Sequence, residues 1–394
     1  VEVTMKNFTW YTPTKVIFGT RILDQLGREA SRIGKRALFL YGKQSIKRSG
    51  LYEKVVAQLR SADIEFVEHG GVQPNPIISH ALEGAQKVKE HELEMIIAVG
   101  GGSVIDEAKS IAVASCNEEP LWDFYLGKAI IKNALPIIAV QTLPATSSEL
   151  NPTSVMTNDT TGEKFSFSSE LVFPKLSFLD PSLTLDIPIQ YTAYACTDIL
   201  SHMMEGYFTA SEDSPLQDGI VEGTCRAVMG ALDTVMIQPR DLKARSTIMW
   251  AGALAWNGLF VAGVEGASTP NHMLEHPLSG LYDLPHGAGL SIVIPAWLKY
   301  MKPHIAHRIV LFGERILGMG ESLRNKAALD AADLVIEELE GWYRHIHTPI
   351  RLHEAGIEKL DIEACTKQAL SLSKLWNIPG YKDSDIRAIY EMMA

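Results

Sequence analysis

Short apolar runs alternate with amphipathic segments through the first half of the chain. The runs predict buried strands at residues 15–19, 36–41, 64–67, 95–99 and 137–140. Helices are predicted between them, because apolar residues there recur at the three- and four-residue spacing of one helix face. Strands that alternate with helices are typical of a parallel α/β sheet.

The pattern changes near residue 187, where strand-like runs give way to long segments of helical periodicity. Helices are predicted at residues 192–207, 214–234, 242–263 and 304–317, and closing helices within 361–394. We therefore predict two domains, an α/β domain over residues 1–185 and an all-helical domain over 186–394. Turns marked by Pro181 and Pro188 separate them.

Composition and charge narrow the class of protein. Apolar residues make up 46% of the chain and charged residues 21%, as in ordinary globular proteins. The formal charge of -11 disfavours nucleic acid or an anionic membrane as a partner, so a small-molecule substrate is expected. The four cysteines lack CxxC spacing, which favours reduced thiols in a cytoplasmic protein. The first residues resemble no signal peptide and no apolar run would span a membrane, so a soluble, unprocessed protein is expected.

A glycine cluster, Gly100-Gly101-Gly102-Ser103, lies between the predicted strand 95–99 and a helix. Glycines let the backbone approach a ligand, and the unpaired N–H groups at a helix start attract an anion such as phosphate. The next strand also ends in hydroxyl residues, which adds donors at the same edge of a parallel sheet. The sequence therefore predicts a phosphate-binding site at this edge of the sheet. The cluster is not a GxGxxG motif, so a tight turn without a ligand is the alternative.

The end of the second predicted strand bears on which dinucleotide would bind at such a site. An acidic residue there often holds the adenosine ribose of NAD, whereas this chain has Gly42-Lys43-Gln44-Ser45. A glycine leaves room for an additional phosphate, and the lysine, amide and hydroxyl groups can donate to it. If the cofactor is a dinucleotide, NADP(H) is therefore favoured over NAD(H). A solvent-exposed loop lysine without a ligand is the alternative.

Residues 272–287, HMLEHPLSGLYDLPHG, place His272, His276 and His286 within one short segment. The first two share a helix face, and the proline–glycine corner around His286 can turn the third imidazole toward them. Asp198 and His202 have the same i,i+4 spacing among apolar residues, where an unpaired carboxylate is costly. One carboxylate with imidazoles suits Fe(II) or Zn(II). A buried histidine–carboxylate network without metal is the alternative.

A four-ligand site leaves one of these imidazoles over. His276 is expected to stay off the metal and to exchange a proton, since an ordinary imidazole titrates near about 6.5. The other histidines are expected to be satisfied core residues rather than ligands: His69, His80, His91, His304, His307, His345, His347 and His353.

Together these motifs resemble those of the iron-containing, or group III, alcohol dehydrogenases, in the branch of NADPH-dependent butanol dehydrogenases and aldehyde reductases. The similarity extends over nearly the whole chain. It implies a dehydroquinate synthase-like fold, with a dinucleotide-binding α/β domain followed by an all-α metal-binding domain, and a homodimer. The segments that carry it are Phe18-Gly19, 71–76 (GVQPNP), 100–106 (GGGSVID) with Lys109, 143–149 (LPATSSE), Asp180-Pro181 and 272–287.

The resemblance also assigns residues. The family's metal ligands fall on Asp198, His202, His272 and His286, the four that the spacing selects, and His276 matches a histidine close to nicotinamide and substrate. With the residues already selected at the end of the second strand, the predicted cofactor-binding residues are Gly42, Lys43, Ser45, Asn75, Gly101, Gly102, Ser103, Thr142, Leu143, Thr146, Lys164 and Leu179.

Three positions qualify this assignment. Asp106 falls in a segment that lines the cofactor cleft in the family and is a catalytic candidate. Gly42 stands where NAD-preferring members tend to carry an aspartate, consistent with NADP(H). Ser147 replaces the family's usual glycine, so this loop is expected to differ in detail.

The resemblance implies a metal-dependent, NADP(H)-linked dehydrogenase that interconverts primary alcohols and aldehydes by hydride transfer. Apolar residues expected near the substrate favour simple aldehydes: Trp122, Leu150, Trp256, Leu259 and Phe260. A polyol dehydrogenase or a dehydroquinate synthase-like lyase is the alternative on the same fold. A non-catalytic nucleotide or metal sensor is the alternative from another class.

Overall fold

The computed structural model describes residues 5–394, and these form two compact units. The α/β unit comprises Tyr11–Ile187 and Arg240–Asn257. The helical unit comprises Pro188–Pro239 and Gly258–Ala394, together with the described part of the first ten residues.

The α/β unit is built on a parallel sheet of six strands in the order β1-β8-β5-β4-β2-β3, and β6 and β7 pair as a separate antiparallel hairpin. The chain runs from β2 outward to β3 and then returns to β4 on the other side of β2. This reversal places the topological switch point at the carboxyl ends of β2 and β4, where open α/β sheets bind ligands. The strands are β1 (Lys15–Phe18), β2 (Arg36–Tyr41), β3 (Glu65–Gly70), β4 (Met95–Gly100), β5 (Ile137–Gln141), β6 (Thr153–Thr157), β7 (Lys164–Ser168) and β8 (Leu176–Leu179).

Helices make up the regular structure of the helical unit within the described residues and flank the sheet of the α/β unit. None of the helices in residues 5–394 is long and apolar enough to cross a membrane. The α-helices are α1 (Leu26–Ala30), α2 (Ser45–Arg48), α3 (Leu51–Ser61), α4 (Ile78–Glu90), α5 (Gly102–Cys116), α6 (Leu121–Tyr125), α7 (Ile189–Thr209), α8 (Pro215–Ile237), α9 (Leu242–Leu254), α10 (Pro270–Tyr282), α11 (His286–Arg315), α12 (Gly320–Leu323), α13 (Ala328–His345), α14 (Ile362–Leu375) and α15 (Asp383–Glu391).

The predicted α/β alternation and helical second half are confirmed, with differences at particular elements. Strand β8 is not predicted from the pattern, although it pairs with both β1 and β5 inside the sheet. Its four residues, Leu-Ser-Phe-Leu, are too short for periodicity to separate them from a loop. The helix predicted over 242–263 ends at Leu254, and Gly258 follows with a positive φ of 86°.

Helix α9 also lies in a different unit from the one predicted. The predicted ranges 1–185 and 186–394 put it in the helical domain, whereas residues 240–257 belong to the α/β unit. The physical reason is apolar packing, because Met249 and Ala253 of α9 are buried in one cluster with Leu150 and Leu179. Local helical periodicity does not show which core a helix joins.

Helix α7 organises the part of the helical unit that carries the metal-type residues. It packs against α8, α10 and α11, and nearly all of its residues from Thr192 to Phe208 are buried. A helix that is buried around its whole circumference lies in the core of the unit rather than on its surface. Polar side chains on α7, such as Asp198 and Glu205, are therefore removed from water.

Candidate metal centre and nucleotide site

The glycine cluster at the end of β4 passes tightly against the loop after β5. Gly101 is in extended conformation and α5 begins at Gly102. A Cβ atom on Gly102 would lie 2.4 Å from Thr146 Oγ1, and one on Gly101 would lie 3.1 Å from Leu143 Cβ. Thr142 N–H donates to the Gly100 carbonyl at 2.9 Å. The two loops thus form a small-residue surface at the start of the 15-residue helix α5, the kind of surface that accepts a phosphate.

A third loop, residues 71–76, lies beside this surface. The Ser103 hydroxyl donates to the Pro74 carbonyl, and Lys164 Nζ donates to Asn75 Oδ1 at 3.2 Å. Lys164 is buried, so the β6–β7 hairpin brings a cation to the loop rather than to bulk water. The structure therefore groups Asn75, Ser103 and Lys164, three of the residues that the resemblance implies.

The end of β2 contributes the remaining predicted cofactor residues. Gly71 N–H donates to the Gly42 carbonyl at 3.0 Å, and a Cβ atom on Gly42 would meet only ordinary contacts, the nearest at 3.6 Å. Lys43 and Ser45 are exposed. Lys47, which the sequence analysis did not select, lies with its Nζ 5.2 Å from the centroid of the Tyr41 ring. The end of β2 is therefore positively charged, through Lys43 and Lys47.

Two residues predicted to contact the cofactor or the substrate also belong to the core of the α/β unit. Leu179, at the end of β8, and Leu150 are buried in the cluster with α9. Trp122, a predicted substrate neighbour, stacks on Tyr125 and Phe165 at ring-centroid distances of 5.1 and 5.6 Å. Apolar side chains in this unit fill its own core, and sequence alone does not distinguish such residues from the wall of a pocket.

Asp106 lies in a buried polar network on α5. Its Oδ1 accepts from the Ser148 hydroxyl at 2.5 Å and lies 3.9 Å from Lys109 Nζ, which itself donates to Ser148, Asn151 and the Thr153 carbonyl. Burial raises the pKa of Asp106 and lowers the pKa of Lys109 to about 8. These contacts tie the loop after β5 to α5. They favour a structural role for Asp106 over the predicted catalytic one.

In the helical unit, three helices bring the predicted metal ligands together. Asp198 and His202 lie one turn apart on α7, His272 lies in the first turn of α10, and His286 is the first residue of α11. We call these four residues the Asp198 cluster. From Asp198 Oδ1 the distances are 3.1 Å to His202 Nδ1, 3.5 Å to His272 Nε2 and 3.7 Å to His286 Nε2.

The electrostatics of the Asp198 cluster fit a divalent cation. Asp198 Oδ1 and His272 Nε2 are buried and have no hydrogen-bond partner within residues 5–394. Burial by itself would lower the pKa of His272, but Glu205 and Asp198 raise it to about 10. Buried carboxylates thus favour positive charge at this point. A set of one carboxylate and three imidazoles is suited to a first-row metal such as iron(II) or zinc(II).

Two further carboxylates contact this cluster and were missed by the sequence analysis. Glu205 on α7 contacts Nδ1 of His272, and Glu275 on α10 contacts Nδ1 of His286. Both glutamates are fully buried. The available signal was an acidic residue inside an apolar helical stretch, three positions after a predicted ligand in each case: Glu205 after His202 and Glu275 after His272.

His276 lies beside the Asp198 cluster. It is buried on α10, with its ring edge-to-face with Trp376 at 5.0 Å and 5.7 Å from the ring of His286. Glu275, His276 and His286 could themselves place three ligand atoms within 4.8 Å of one another. The expectation that His276 stays off the metal therefore remains a prediction.

The other predicted core histidines divide into two groups. His69 is buried and His80 is half-buried, and both join Glu107 in a group that we call the Glu107 cluster. The prediction is wrong for six exposed histidines, because chain neighbours of apolar character do not guarantee an inward-facing side chain: His91, His304, His307, His345, His347 and His353.

Known proteins resemble this chain over nearly its whole length. Residues 13–181 match the family described as "Iron-containing alcohol dehydrogenase", and residues 192–394 match "Fe-containing alcohol dehydrogenase family, C-terminal". The chain is 35% identical to "Probable NADH-dependent butanol dehydrogenase 1" of Bacillus subtilis (strain 168), over 98% of this chain and 99% of the relative. It is 32% identical to "NADPH-dependent aldehyde reductase YqhD" of Escherichia coli (strain K12), over 92% and 93% of the two chains.

A solved structure agrees over the full length. The crystal structure of NADH-dependent butanol dehydrogenase A from Thermotoga maritima superposes with a TM-score of 0.95 at 35% identity and covers 100% of both chains. A switch-point sheet with glycine-rich strand ends, together with a buried histidine–carboxylate cluster, defines a class of nucleotide-linked, metal-dependent oxidoreductases. The chain belongs to the iron-containing alcohol dehydrogenase family.

Family membership settles the general activity. The protein is an alcohol oxidoreductase of the alcohol dehydrogenase and aldehyde reductase type, and the family implies a pyridine nucleotide and a metal. This favours the dehydrogenase over the lyase and sensor alternatives.

Proposed function

We propose that the protein is a metal-dependent, NADP(H)-linked dehydrogenase that interconverts primary alcohols and simple aldehydes, with Asp198, His202, His272 and His286 as the metal ligands. The observation that carries this proposal is the convergence of His272 Nε2 and His286 Nε2 on Asp198 Oδ1, at 3.5 and 3.7 Å. In a buried site, nitrogen and carboxylate lone pairs that are aimed at one point favour a cation between them.

The ligand residues and His276 have separate tasks in this proposal. When bound, iron(II) or zinc(II) supplies a Lewis acid for the alcohol or carbonyl oxygen, and the nicotinamide supplies or accepts hydride. The four ligand side chains fix the position of that Lewis acid and keep it out of bulk water. His276 exchanges a proton with the substrate oxygen through a ring nitrogen, supported by its buried position beside His286.

The α/β unit supplies the nucleotide part of the proposal. Gly101, Gly102 and Ser103 hold the pyrophosphate at the start of α5, supported by the close approach of the loop after β5. The residues proposed to line the rest of the cofactor are Asn75, Thr142, Leu143, Thr146, Lys164 and Leu179.

A preference for NADP(H) over NAD(H) rests on the end of β2. Gly42 provides no carboxylate to repel a 2′-phosphate, and Lys43, Ser45 and Lys47 can donate to one. The names of the relatives do not agree on this point, because four similar butanol dehydrogenases are called NADH-dependent and the Escherichia coli reductase NADPH-dependent.

The proposal is tested by the absorbance of reduced nicotinamide with butanal and longer aldehydes, using NADPH and NADH, alongside metal analysis of the protein. We expect turnover that depends on iron(II) or zinc(II), with the larger kcat/KM for NADPH. Turnover that is unchanged after complete metal removal would refute the metal-dependent mechanism. A larger kcat/KM with NADH would refute only the cofactor preference.

The variant Gly42→Asp tests the cofactor preference directly. The backbone can accept a side chain here, because Gly42 does not have a positive φ and its Cβ contacts are ordinary. We expect the kcat/KM ratio of NADPH to NADH to fall by roughly tenfold or more, since a carboxylate repels phosphate and accepts from ribose hydroxyls. Gly50→Asp, in open space before α3, is the control and should leave the ratio unchanged, although its positive φ costs some stability.

We also propose a cytoplasmic homodimer. Four free thiols in the described chain support a reducing compartment, and burial raises the pKa of Cys225 and of Cys365 to about 12, which keeps these thiols protonated. The family resemblance supports the dimer. Light scattering after size-exclusion chromatography measures the mass, and a mass near that of one chain would refute the dimer.

A further inference from the structure

Two fully buried glutamates, Glu205 and Glu275, contact the metal-type histidines but are not themselves among the proposed ligands. A carboxylate in a helix core is costly unless its oxygens are satisfied. The contacts of each glutamate therefore indicate what it is for.

Glu205 joins α7 to the first turn of α10. One oxygen, Oε1, accepts from the backbone N–H groups of Asn271 and His272 at 2.5 and 3.0 Å. The other oxygen, Oε2, contacts His272 Nδ1. The backbone contacts fix the carboxylate, and the fixed carboxylate in turn fixes the rotation of the His272 ring.

Glu275 on α10 makes the corresponding contact with His286. Its Oε2 contacts His286 Nδ1, and its Oε1 accepts from the Ser279 hydroxyl. Helix α11 passes directly against this carboxylate, because a Cβ atom on Gly289 would lie 2.5 Å from Glu275 Oε1. The packing thus leaves Glu275 little freedom to move away from His286.

These contacts decide which ring nitrogen can bind a metal. An ionised carboxylate accepts only, so Nδ1 of His272 and of His286 carries a proton, and in the neutral imidazole, the form that binds a metal, Nε2 carries the lone pair. In both residues Nε2 is the atom that approaches Asp198 Oδ1. His202 differs, since its Nδ1 faces Asp198 of its own helix, at 2.9 Å from the backbone carbonyl and 3.1 Å from Oδ1, rather than a separate carboxylate.

We infer that Glu205 and Glu275 are positioning residues that hold His272 and His286 as Nδ1–H tautomers, with Nε2 directed at the metal, and so tighten metal binding. The inference rests on the proposed metal site. Carboxylates hydrogen-bonded to ligand histidines fix the tautomer and raise ligand basicity, and their loss typically weakens metal binding by about 10- to 100-fold.

The variants Glu205→Gln and Glu275→Gln test this with little change in shape. A glutamine has one oxygen, so at position 205 it can keep the two backbone donors only by turning its NH₂ group toward His272 Nδ1. That arrangement favours the tautomer with the proton on Nε2, which cannot bind a metal. We expect the dissociation constants of both variants for zinc(II) to rise by about 10- to 100-fold.

Glu222→Gln is the matched control. Glu222 is a buried carboxylate of the same unit, paired with Arg315 and Tyr207, and its loss disturbs packing without reaching the Asp198 cluster. The dissociation constant is measured by competition with a chromophoric chelator, and the visible spectrum of the cobalt(II)-substituted protein reports the ligand geometry. Circular dichroism of the metal-free proteins reports folding.

The outcomes separate this inference from the proposed function. A wild-type protein that binds no divalent metal would refute the metal site itself. If the wild type binds zinc(II) while folded Glu→Gln variants keep its dissociation constant and its cobalt(II) spectrum, the inference is wrong and the proposed function stands. Weakening in the two variants but not in Glu222→Gln supports it. Should one variant fail to fold, the other decides by the same criteria.

Discussion

Each unit buries a histidine–carboxylate cluster, and the two clusters differ in where their polar atoms point. In the Glu107 cluster, His69 Nε2 contacts the His80 carbonyl at 2.9 Å, Lys87 contacts His69 Nδ1 at 3.2 Å, and His80 Nδ1 contacts Glu107 at 2.6 Å. The two imidazoles stack at 4.1 Å. In the Asp198 cluster, Nε2 atoms instead converge on a carboxylate oxygen.

The difference lies in the atoms that remain unpartnered. Within residues 5–394, Asp198 Oδ1 and His272 Nε2 lack partners and lie 3.5 Å apart, a gap that a cation can fill. Glu107 Oε2 also lacks a partner, but burial raises the pKa of Glu107, so a proton can satisfy it. Residue types alone do not define a metal site. A metal site also requires that the lone pairs of those residues converge on one point.

The largest expected effect is the loss of a ligand. We expect His272→Ala and His286→Ala to lose bound metal and at least about 10³-fold in kcat/KM, because the Lewis acid provides several kcal/mol to the transition state. His69→Gln should retain both metal and rate. Metal analysis and the aldehyde assay make the measurement. A metal-free His286→Ala protein with an unaltered rate would contradict the proposed site.

His276→Ala separates proton transfer from metal binding in the same series. Since His276 is expected to stay off the metal, the variant should keep its metal content while kcat falls by about 10²- to 10⁴-fold. Loss of metal from this variant would instead place His276 among the ligands.

The next effect concerns stability in the α/β unit. Burial lowers the pKa of His69 to about 4 from an ordinary 6.5, so the unfolded chain binds more protons between these values. The corresponding stability is present above pH 6.5 and is lost as pH falls toward 4, by about 3 kcal/mol. His69→Gln should therefore lose less stability than the wild type between pH 7 and pH 4.5.

Urea midpoints of the wild type and His69→Gln at the two pH values make this comparison. Lys87, His80 and Glu107 titrate or carry charge beside His69 and are present in both proteins, so the difference between the two reports the His69 contribution together with its coupling to these neighbours. An equal fall in both proteins would show that His69 is not held neutral.

Much of the fold and the principal site residues follow from periodicity and spacing. The i,i+4 pairs place Asp198 with His202, and His272 with His276, on one helix face whatever the tertiary structure is. The glycine cluster after β4 is similarly local, because a strand, a turn and a helix fix it within a few residues.

Features that depend on long-range packing could not be predicted in the same way. Strand β8 is identified by its two neighbours in the sheet, and α9 joins a core formed by residues about 70 to 100 positions earlier. The role of Glu205 depends on a contact with His272, 67 residues away. Local sequence marks it only as a carboxylate in an apolar helix.

Metal removal should lower stability by an amount similar to that expected from the protonation of His69. The loss should occur only in proteins that keep the metal ligands of the Asp198 cluster. A ligand at 100 times its dissociation constant stabilises the folded state by about 2.7 kcal/mol. We expect zinc(II) to raise the thermal midpoint of chelator-treated wild type and of His69→Gln, but not of His272→Ala. The measurement is differential scanning fluorimetry with and without zinc(II). An equal rise in His272→Ala would locate the responding metal outside the Asp198 cluster.

The smallest effect comes from adding one methyl group beside each cluster. A Cβ atom on Gly289 would lie 2.5 Å from Glu275 Oε1, and one on Gly84 would lie 2.8 Å from His69 Cδ2. Alanine gains about 1 kcal/mol of helix propensity at each site, which offsets part of an overpacking cost of roughly 1–3 kcal/mol. Net stability changes should therefore be small in both variants.

Metal affinity distinguishes these two substitutions. Gly289→Ala must displace the carboxylate that faces His286, so its zinc(II) dissociation constant should rise several-fold, within the roughly 10- to 100-fold expected for removal of that carboxylate. Gly84→Ala displaces Ile111 and His69 and should leave the constant unchanged. The chelator competition used for the glutamate variants measures both. Equal constants in the two variants would mean that Glu275 can move without consequence, and the close approach of α11 would then be packing alone.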